Sequence, residues 1–326
     1  MVANRSDVGN EHIDRFLDDV KGFKSEGTWE TRHSDLKNFH AWMKEENKDE
    51  ITNLTALDIR EYIRWNSNRG YAPATIMSRY NSVHSLYESL AGIYGVIEEH
   101  PMDDLKYKNV KGIMQGTKKI EGDSDDFIHI TPEEVDLMVE NAPRPKTRNQ
   151  LMFRLLFQTG IRAQECRDIK IENVDTEKRA IEIYSEKERN EDDSWRTVYY
   201  QPNLDTLMSL WLNQIRETNA PAEESEYLFV TNRSEKLGKS RIQEIVRKTA
   251  KEAGIQKELY VDPSGKTHHR ITPHAFRHGH CMQAIKKGID IAFVSEHAGH
   301  TTLDMTKRYL ESIEDDVQDA YKSFEA

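Results

Sequence analysis

The sequence feature that most constrains the fold of this chain is a polar break between residues 116 and 130. An apolar pattern ends there, and a clear helix start follows it. The helix start is Thr131-Pro132-Glu133-Glu134. Thr131 is predicted as the N-cap, Pro132 as the first helical residue, and Glu134 as the side chain that reaches back to the cap. A chain of 326 residues can also bury two separate cores. We therefore predict two domains, residues 1–118 and 129–326, joined by a linker at residues 119–128.

The first domain is predicted to be helical. In residues 73–94 apolar side chains recur at alternating spacings of four and three, which is typical of an amphipathic helix. These side chains are Ile76, Tyr80, Val83, Tyr87, Leu90 and Tyr94. The other side of this helix carries Ser78, Ser82, Ser85 and Ser89, with Arg79 nearby. That side is either an ordinary solvated face or one that approaches a polyanion closely, and the second interpretation makes Arg79 a DNA contact.

The second domain is predicted to mix helices with a small sheet. Residues 181–184 and 197–200 are short β-prone runs on either side of a polar stretch, which favours an antiparallel hairpin with a long tip. Helices are predicted at residues 203–217, 240–253 and 274–287, and from residue 303 onward. The expected fold class is therefore mainly α in two domains, the second with a minor antiparallel sheet.

Charge and composition limit the possible partners. The chain has 46 basic and 57 acidic residues, a net charge of −11, which taken alone argues against nucleic-acid binding. The charge is uneven, however, and residues 236–280 are rich in Lys and Arg. The acidic excess is also compatible with a salty cytoplasm. No apolar run suits a signal peptide or a membrane span, and two cysteines are too few for a disulfide framework. We therefore expect a cytoplasmic protein without a membrane partner.

Residues 268–300 contain seven histidines, and three roles fit them. His274 and His278 lie four apart, and His297 and His300 three apart, as metal ligands often do. The histidines could instead act in catalysis at a phosphate, or simply cap and pack. A metal site would be favoured by a helical His-Glu-x-x-His motif, which the sequence lacks.

Arginines beside these histidines favour phosphate over metal. His274 and Arg277 are three apart and are predicted to share one helix face. A guanidinium group repels a metal ion, whereas its paired N–H groups match two phosphate oxygens. Arg162, in Thr159-Gly160-Ile161-Arg162, could supply a second such group, and Glu165 lies one helical turn on and could orient it.

Four short motifs in one order carry a family resemblance. Arg162, then His274-x-x-Arg277, then Gly299-His300, then Tyr309 resembles the tyrosine recombinases, also called phage integrases. The resemblance covers about residues 128–312 and implies a mixed α/β, mostly helical catalytic domain. The first domain resembles the helical core-binding (SAM-like) domain of this family in size, helicity and position.

The resemblance implies a site-specific recombinase or integrase that needs no metal, cofactor or ATP. Tyr309 would attack a DNA phosphate and form a 3′-phosphotyrosine, while Arg162 and Arg277 neutralise the phosphate charge. His274 would help take the phenol proton and steady the phosphate, and His300 would donate to a non-bridging oxygen. The alternatives are a type IB-like topoisomerase, a relative that binds DNA without cleaving it, and a metal-dependent hydrolase.

The family also implies a lysine in the hairpin that protonates the leaving 5′-hydroxyl. The usual Gly-Lys-Gly tip is absent, and Lys187 is the only lysine between the two predicted strands, so the role falls to it. Acids beside Lys187 would weaken it as a proton donor unless DNA reorganises the tip.

Double-stranded DNA is the expected partner, with a tetramer of this chain assembled on it. Further phosphate contacts, or else ordinary solvated faces, are predicted at Lys118, Lys119, Arg241, Arg247 and Lys248. After Tyr309 the chain is acidic and amphipathic. This tail either packs on its own domain or, as in the relatives, docks on a neighbouring subunit, which is the arrangement we predict.

Overall fold

The computed structural model describes residues 8–103, 105, 128–185, 195–218, 224–300, 306 and 309. The chain divides into two compact units, Met1–Asp123 with Tyr260–Thr267, and Ser124–Leu259 with His268–Ala326. Of the predicted linker at residues 119–128, only residue 128 is described, so its bounds stay a prediction.

The first unit is helical, as the sequence predicts. Its helices within the described residues are α1 (Glu11–Phe23), α2 (Glu26–Glu45), α3 (Ala56–Asn68) and α4 (Pro73–Glu88), the last extended by a wide π turn at Ser89–Ile93. Thr55 and Asp58 form the capping box that starts α3. The rings of Phe39, Trp42 and Tyr62 contact one another in the core, with centroids 4.9 to 5.5 Å apart.

Two of the serines on one side of α4 contact the neighbouring helix α2. The hydroxyl groups of Ser78 and Ser82 donate to Oδ2 of Asp35 on α2, at 2.9 and 2.7 Å. Ser82 and Asp35 are both buried. The small side chains of Ser78 and Ser82 therefore serve the contact between α4 and α2, which neither sequence interpretation of this helix side anticipated.

Arg79 is likewise held inside the first unit. Its side chain is 8% exposed, and Nη1 donates to Oδ1 of Asn66 on α3. Its guanidinium carbon lies 3.8 Å from the centre of the Tyr71 ring. The guanidinium group of Arg79 thus has partners within its own unit, and its contact with DNA stays a prediction.

The rest of the chain is mostly helical with short strands. In chain order its elements are α5 (Pro132–Glu140), α6 (Lys146–Thr159), α7 (Ala163–Asp168), β1 (Val174–Asp175), β2 (Ala180–Tyr184), β3 (Trp195–Tyr199), α8 (Asp205–Leu210), α9 (Lys239–Glu252), β4 (Glu258–Val261), β5 (Thr267–His269), α10 (Pro273–Lys286) and α11 (Ile291–Ala298). Strands β1, β2 and β3 form an antiparallel sheet in that order, and β4 pairs with β5. The predicted fold class is confirmed.

Helix α6 is the centre of the second core. It packs against α5 and α10, and Leu151, Phe153 and Leu155 are fully buried although they lie on different sides of the helix. The capping box predicted to start α5 is present: Thr131 N donates to Glu134 Oε2 at 3.0 Å, and Glu134 N to Thr131 Oγ1 at 3.3 Å. No helix among the described residues has the length and apolar character to cross a membrane.

Candidate active site

The end of α6 places Arg162. The helix stops at Gly160, whose φ of +63° is the left-handed conformation that favours glycine at a helix end. Two residues later Arg162 is the N-cap of α7. Its backbone N–H and Nη1 donate to the two carboxylate oxygens of Glu165, both at 2.7 Å, and Nη2 donates to the carbonyl oxygen of Gly299 at 2.6 Å. The predicted supporting role of Glu165 is thus matched by direct contacts.

Arg277 lies on α10 and is buried, with 4% of its surface exposed. Its guanidinium group donates to backbone carbonyls, with Nη1 bound to Gly160 (2.9 Å) and Ala298, and Nη2 to Gly299 at 3.1 Å. Burial, with the nearby charge of Arg162, lowers the pKa of Arg277 to about 10, so the group stays charged at neutral pH.

The two arginines converge on one oxygen atom. Nη2 of Arg162 and Nη2 of Arg277 both donate to the Gly299 carbonyl, at 2.6 and 3.1 Å. Two guanidinium groups that share one acceptor can also share one anion, because a phosphate offers several oxygens within the same span. This convergence is what the sequence interpretation requires.

A third arginine, which no sequence motif indicated, completes this cluster. Arg196 on β3 donates from Nη1 and Nη2 to the Glu165 carboxylate, at 3.1 and 2.8 Å, and from Nε to the carbonyl oxygen of His297 at 3.1 Å. Burial raises the pKa of Glu165, but the Arg196 hydrogen bonds and the charges of Arg196 and Arg162 outweigh it and lower that pKa to about 2. Glu165 is therefore a carboxylate that fixes two arginines.

Strand alternation is the signal that could have found Arg196. Val198 is buried and Thr197 is exposed, so Arg196 falls on the inward side of β3. The β-prone run predicted from the sequence starts at residue 197 and leaves Arg196 in the polar tip. An arginine at an inward strand position needs a buried acceptor, which points to a carboxylate such as Glu165.

His300 follows α11 and lies beside the nucleophile predicted from the sequence. Its ring is stacked on the ring of Tyr309, with centroids 6.1 Å apart and planes 11° from parallel. Nδ1 of His300 is 2.8 Å from the hydroxyl of Thr306. Burial, followed by the charges of Arg277 and Arg162, lowers the pKa of His300 to about 3, so the ring is neutral at neutral pH.

Tyr309 is almost fully buried, at 1% exposed. Its ring belongs to a small apolar cluster with Met282, Val294 and Ala298. Its hydroxyl lies 2.8 Å from Nδ1 of His278, a residue of the histidine cluster to which the sequence analysis assigned no specific catalytic role. His274 is exposed on the first turn of α10, and its ring is stacked on that of His278 at 6.2 Å.

Two further histidines pack near the arginines. His280 pairs through Nδ1 with the Phe157 carbonyl at 3.0 Å, and its ring is stacked on His297 at 5.1 Å. Burial lowers the pKa of His280 to about 3 and that of His297 to about 4. These two histidines fit a packing role. Nowhere in the described ranges do three His, Cys, Asp or Glu side chains come together as a metal ion would require.

The remaining predicted residues lie apart from this cluster or outside the described residues. Lys118, Lys119 and Lys187 are in the second category. Arg241, Arg247 and Lys248 are exposed on α9, where Arg241 and Lys248 form ion pairs with Glu244 at 2.6 and 2.7 Å.

Comparison with family models decides the family. The catalytic model of the "Phage integrase family" matches residues 129–315, more than half of the chain. The chain belongs to the phage integrase, or tyrosine recombinase, family. The N-terminal SAM-like domain of phage integrases matches residues 13–92 of the recombinase, which confirms the predicted character of the first unit.

Individual relatives agree with this assignment. The recombinase is 30% identical over 183 residues to the tyrosine recombinase XerA of Pyrococcus furiosus, covering 55% of this chain and 56% of the relative. It is 23% identical over 308 residues to the tyrosine recombinase XerC of Roseiflexus castenholzii, covering 92% of this chain and 88% of the relative.

Solved structures share the fold of the recombinase. The XerH site-specific recombinase bound to a palindromic difH substrate in a post-cleavage complex matches with a TM-score of 0.69 and 18% identity, covering 95% of this chain and 83% of that one. A lambda integrase dimer bound to a COC′ core site matches with a TM-score of 0.65 and 13% identity, covering 92% and 94%.

Proposed function

We propose that this recombinase cleaves and rejoins DNA at a specific site through a covalent 3′-phosphotyrosine at Tyr309. The observation that carries the proposal is the convergence of Arg162 and Arg277 on the Gly299 carbonyl oxygen. In the complex with DNA, oxygens of the scissile phosphate take the place of that acceptor. The two guanidinium groups then stabilise the charge that builds on the equatorial oxygens in the transition state.

The reaction exchanges one phosphodiester for another. The Tyr309 oxygen attacks phosphorus, the bond from phosphorus to the 5′-oxygen breaks, and the 5′-oxygen leaves as a hydroxyl. A 5′-hydroxyl from a second strand then attacks the phosphotyrosine and releases the phenol. Because the bonds made and broken are alike in energy, the chain's own residues suffice and no ATP is consumed.

The two predicted histidines have separate tasks at the phosphate. Nδ1 of His300 faces the Thr306 hydroxyl at 2.8 Å, and if it accepts that proton, Nε2 carries the hydrogen and donates to a non-bridging oxygen. His274 is exposed on the N-terminal turn of α10, where backbone N–H groups and the helix dipole also favour an anion. It contacts the phosphate from that side and, as the family pattern implies, helps to take the phenol proton.

Lys187 is the proposed general acid for the leaving 5′-oxygen. It lies between strands β2 and β3, outside the described residues, and β3 also carries Arg196. The hairpin that would present Lys187 to DNA is thus joined directly to the residue that holds Glu165 and the His297 carbonyl.

Double-stranded DNA is the proposed substrate, and the exposed cations of α9 supply phosphate contacts away from the cleavage point. We further propose that four copies of the chain assemble on paired sites, with the acidic tail after Tyr309 docking on a neighbouring subunit. The cytoplasm is the proposed compartment.

A covalent capture assay tests the function. The full chain is incubated with a pool of randomised nicked duplexes in EDTA, and the products are separated by denaturing electrophoresis. The nick makes the fragment that carries the freed 5′-hydroxyl short enough to diffuse away. Without that hydroxyl the strand cannot be rejoined, so the covalent adduct accumulates. We expect an adduct with the wild-type chain and none with Tyr309→Phe, and sequencing of the captured DNA gives the site. An adduct that survives the Phe substitution, or that EDTA abolishes, contradicts the proposal.

A further inference from the structure

The hydroxyl of Tyr309 is held by a histidine outside the motif that carries the family resemblance. Nδ1 of His278 lies 2.8 Å from the Tyr309 oxygen, and the two ring centroids are 5.8 Å apart. Because Tyr309 is 1% exposed, its hydroxyl proton has to be passed to a protein group or to the incoming substrate. His278 is therefore in direct contact with the atom that reacts.

The neighbouring imidazoles are placed differently. His300 presents the face of its ring to the Tyr309 ring, with planes 11° from parallel, and its Nδ1 is engaged by Thr306 at 2.8 Å. Burial and the charges of Arg277 and Arg162 lower the pKa of His300 to about 3, which makes it a weak base. His274 is one helical turn before His278 and is exposed, with its ring stacked on that of His278 at 6.2 Å.

We propose that His278 is a catalytic residue that accepts the phenol proton of Tyr309 as the phosphorus bond forms. This rests on the proposed function and reassigns one step of it, since the sequence pattern gives that proton to His274. His274 keeps its contact with the phosphate.

The step balances in both directions. A phenol O–H is a stronger donor than a neutral imidazole N–H, so Tyr309 donates to Nδ1 of His278 in the resting pair. During cleavage the proton moves to Nδ1 and gives an imidazolium, the Tyr309 oxygen bonds to phosphorus, and the 5′-oxygen leaves with a proton from the general acid. During rejoining the attacking 5′-hydroxyl returns its proton to the deprotonated general acid, its oxygen bonds to phosphorus, and the leaving Tyr309 oxygen takes the other proton back from His278.

The distinguishing test makes the phenol at position 309 more acidic, so that its reaction depends less on a base. Cleavage rates are measured on captured nicked DNA for the full chain with His278→Asn, in which an amide replaces Nδ1 but cannot take a proton. Each protein is made with tyrosine or with difluorotyrosine at position 309, whose phenol loses its proton more readily. His274→Asn, on the same helix face, is the matched control.

With tyrosine, we expect His278→Asn to slow cleavage about 100-fold or more, the usual range for a lost general base. With difluorotyrosine this deficit shrinks about tenfold, whereas the deficit of His274→Asn is the same with either phenol. Cleavage by His278→Asn at the wild-type rate would overturn the proposal. A deficit that is the same with tyrosine and with difluorotyrosine would also overturn it, and would show that His278 only positions the Tyr309 hydroxyl. If the Asn variant does not fold, His278→Gln is measured in its place. An absence of adduct with the wild-type chain would count against the function itself.

Discussion

Gly299 is under two constraints at the scale of a single residue. Its φ is +69°, and a Cβ added there would lie 2.8 Å from Cζ of Arg196. The first constraint alone disfavours any side chain, and the second forces Arg196 away from Glu165. The conformation of Gly299 thus determines the position of its carbonyl oxygen, and with it the positions of Arg162 and Arg277, which donate to that oxygen.

Gly299→Ala is therefore expected to destabilise the fold and to slow cleavage at least tenfold. Gly288→Ala is the matched control, because Gly288 has a φ of +80° but nothing within 4 Å of an added Cβ. The control should lose about 1 kcal/mol of unfolding free energy, the cost of the conformation alone, and should cleave normally. Urea unfolding and single-turnover cleavage measure the two effects, and equal losses in both variants would contradict the role given to Arg196.

A second residue-scale prediction concerns acid. Burial, with the neighbouring His297, lowers the pKa of His280 from 6.5 to about 3. The unfolded chain then binds a proton that the folded chain does not, so stability is lost as the pH falls below 6.5. Each such group makes the unfolding free energy fall by up to about 1.4 kcal/mol per pH unit.

His280→Asn keeps a donor for the Phe157 carbonyl but removes the titration. Its unfolding free energy, measured in urea between about pH 7 and pH 5, should depend less on pH than that of the wild type. Parallel curves for the two proteins would show that His280 is not the group responsible.

The membership of the residue cluster was predictable from the sequence where a motif gives the residue type, the order and the spacing together. Arg162, Arg277, His300 and Tyr309 were named on this basis, and the structure brings them into one cluster. His274 and His278 are four apart on one helix face, so the pattern could not show which of them contacts the phenol. That distinction depends on the position of Tyr309 in space, which spacing alone does not encode.

At the scale of elements, β3 contributes Arg196 to the arginine cluster, and Lys187, the proposed general acid, lies in the sequence between β2 and β3. Lys187→Ala should slow cleavage of a normal substrate and spare one with a 5′-sulfur leaving group, because a thiolate departs without a proton. Both substrates are compared in single-turnover cleavage. Equal loss on both would remove Lys187 from the role of general acid.

Helix α9 presents the exposed cations. Arg247→Ala should weaken DNA binding and reduce the slope of log affinity against log salt by about 1, as expected for one lost phosphate contact. Lys178→Ala removes the same charge from the turn between β1 and β2, and should leave that slope unchanged. Fluorescence anisotropy across a salt series measures both, and two identical slopes would make α9 an ordinary solvated face.

Elements were predictable where local chemistry determines them, as at the Thr131 capping box. The contact made by Ser78 and Ser82 was not predictable from the sequence of α4, because small polar side chains are equally suited to solvent and to a helix contact. Asp35, from a different helix, decides between them, and a pattern within α4 contains no information about it.

At the scale of the whole molecule, the tail after Tyr309 is expected to connect subunits. A chain ending at residue 311 should still bind single sites but should lose cooperative assembly on paired sites. Gel-shift titrations on one-site and two-site DNA separate the effects. Unchanged cooperativity would place the tail on its own domain.

Arg162 and Arg277 are two like charges that share one acceptor. Two cationic side chains at this distance repel each other, and the carbonyl oxygen of Gly299, which accepts from both, reduces that repulsion. Under the proposed function, a phosphate of the bound DNA replaces this carbonyl as the acceptor of both arginines. A duplex that is held too far away to displace the peptide group is then not cleaved, which gives the enzyme a means of selecting its site.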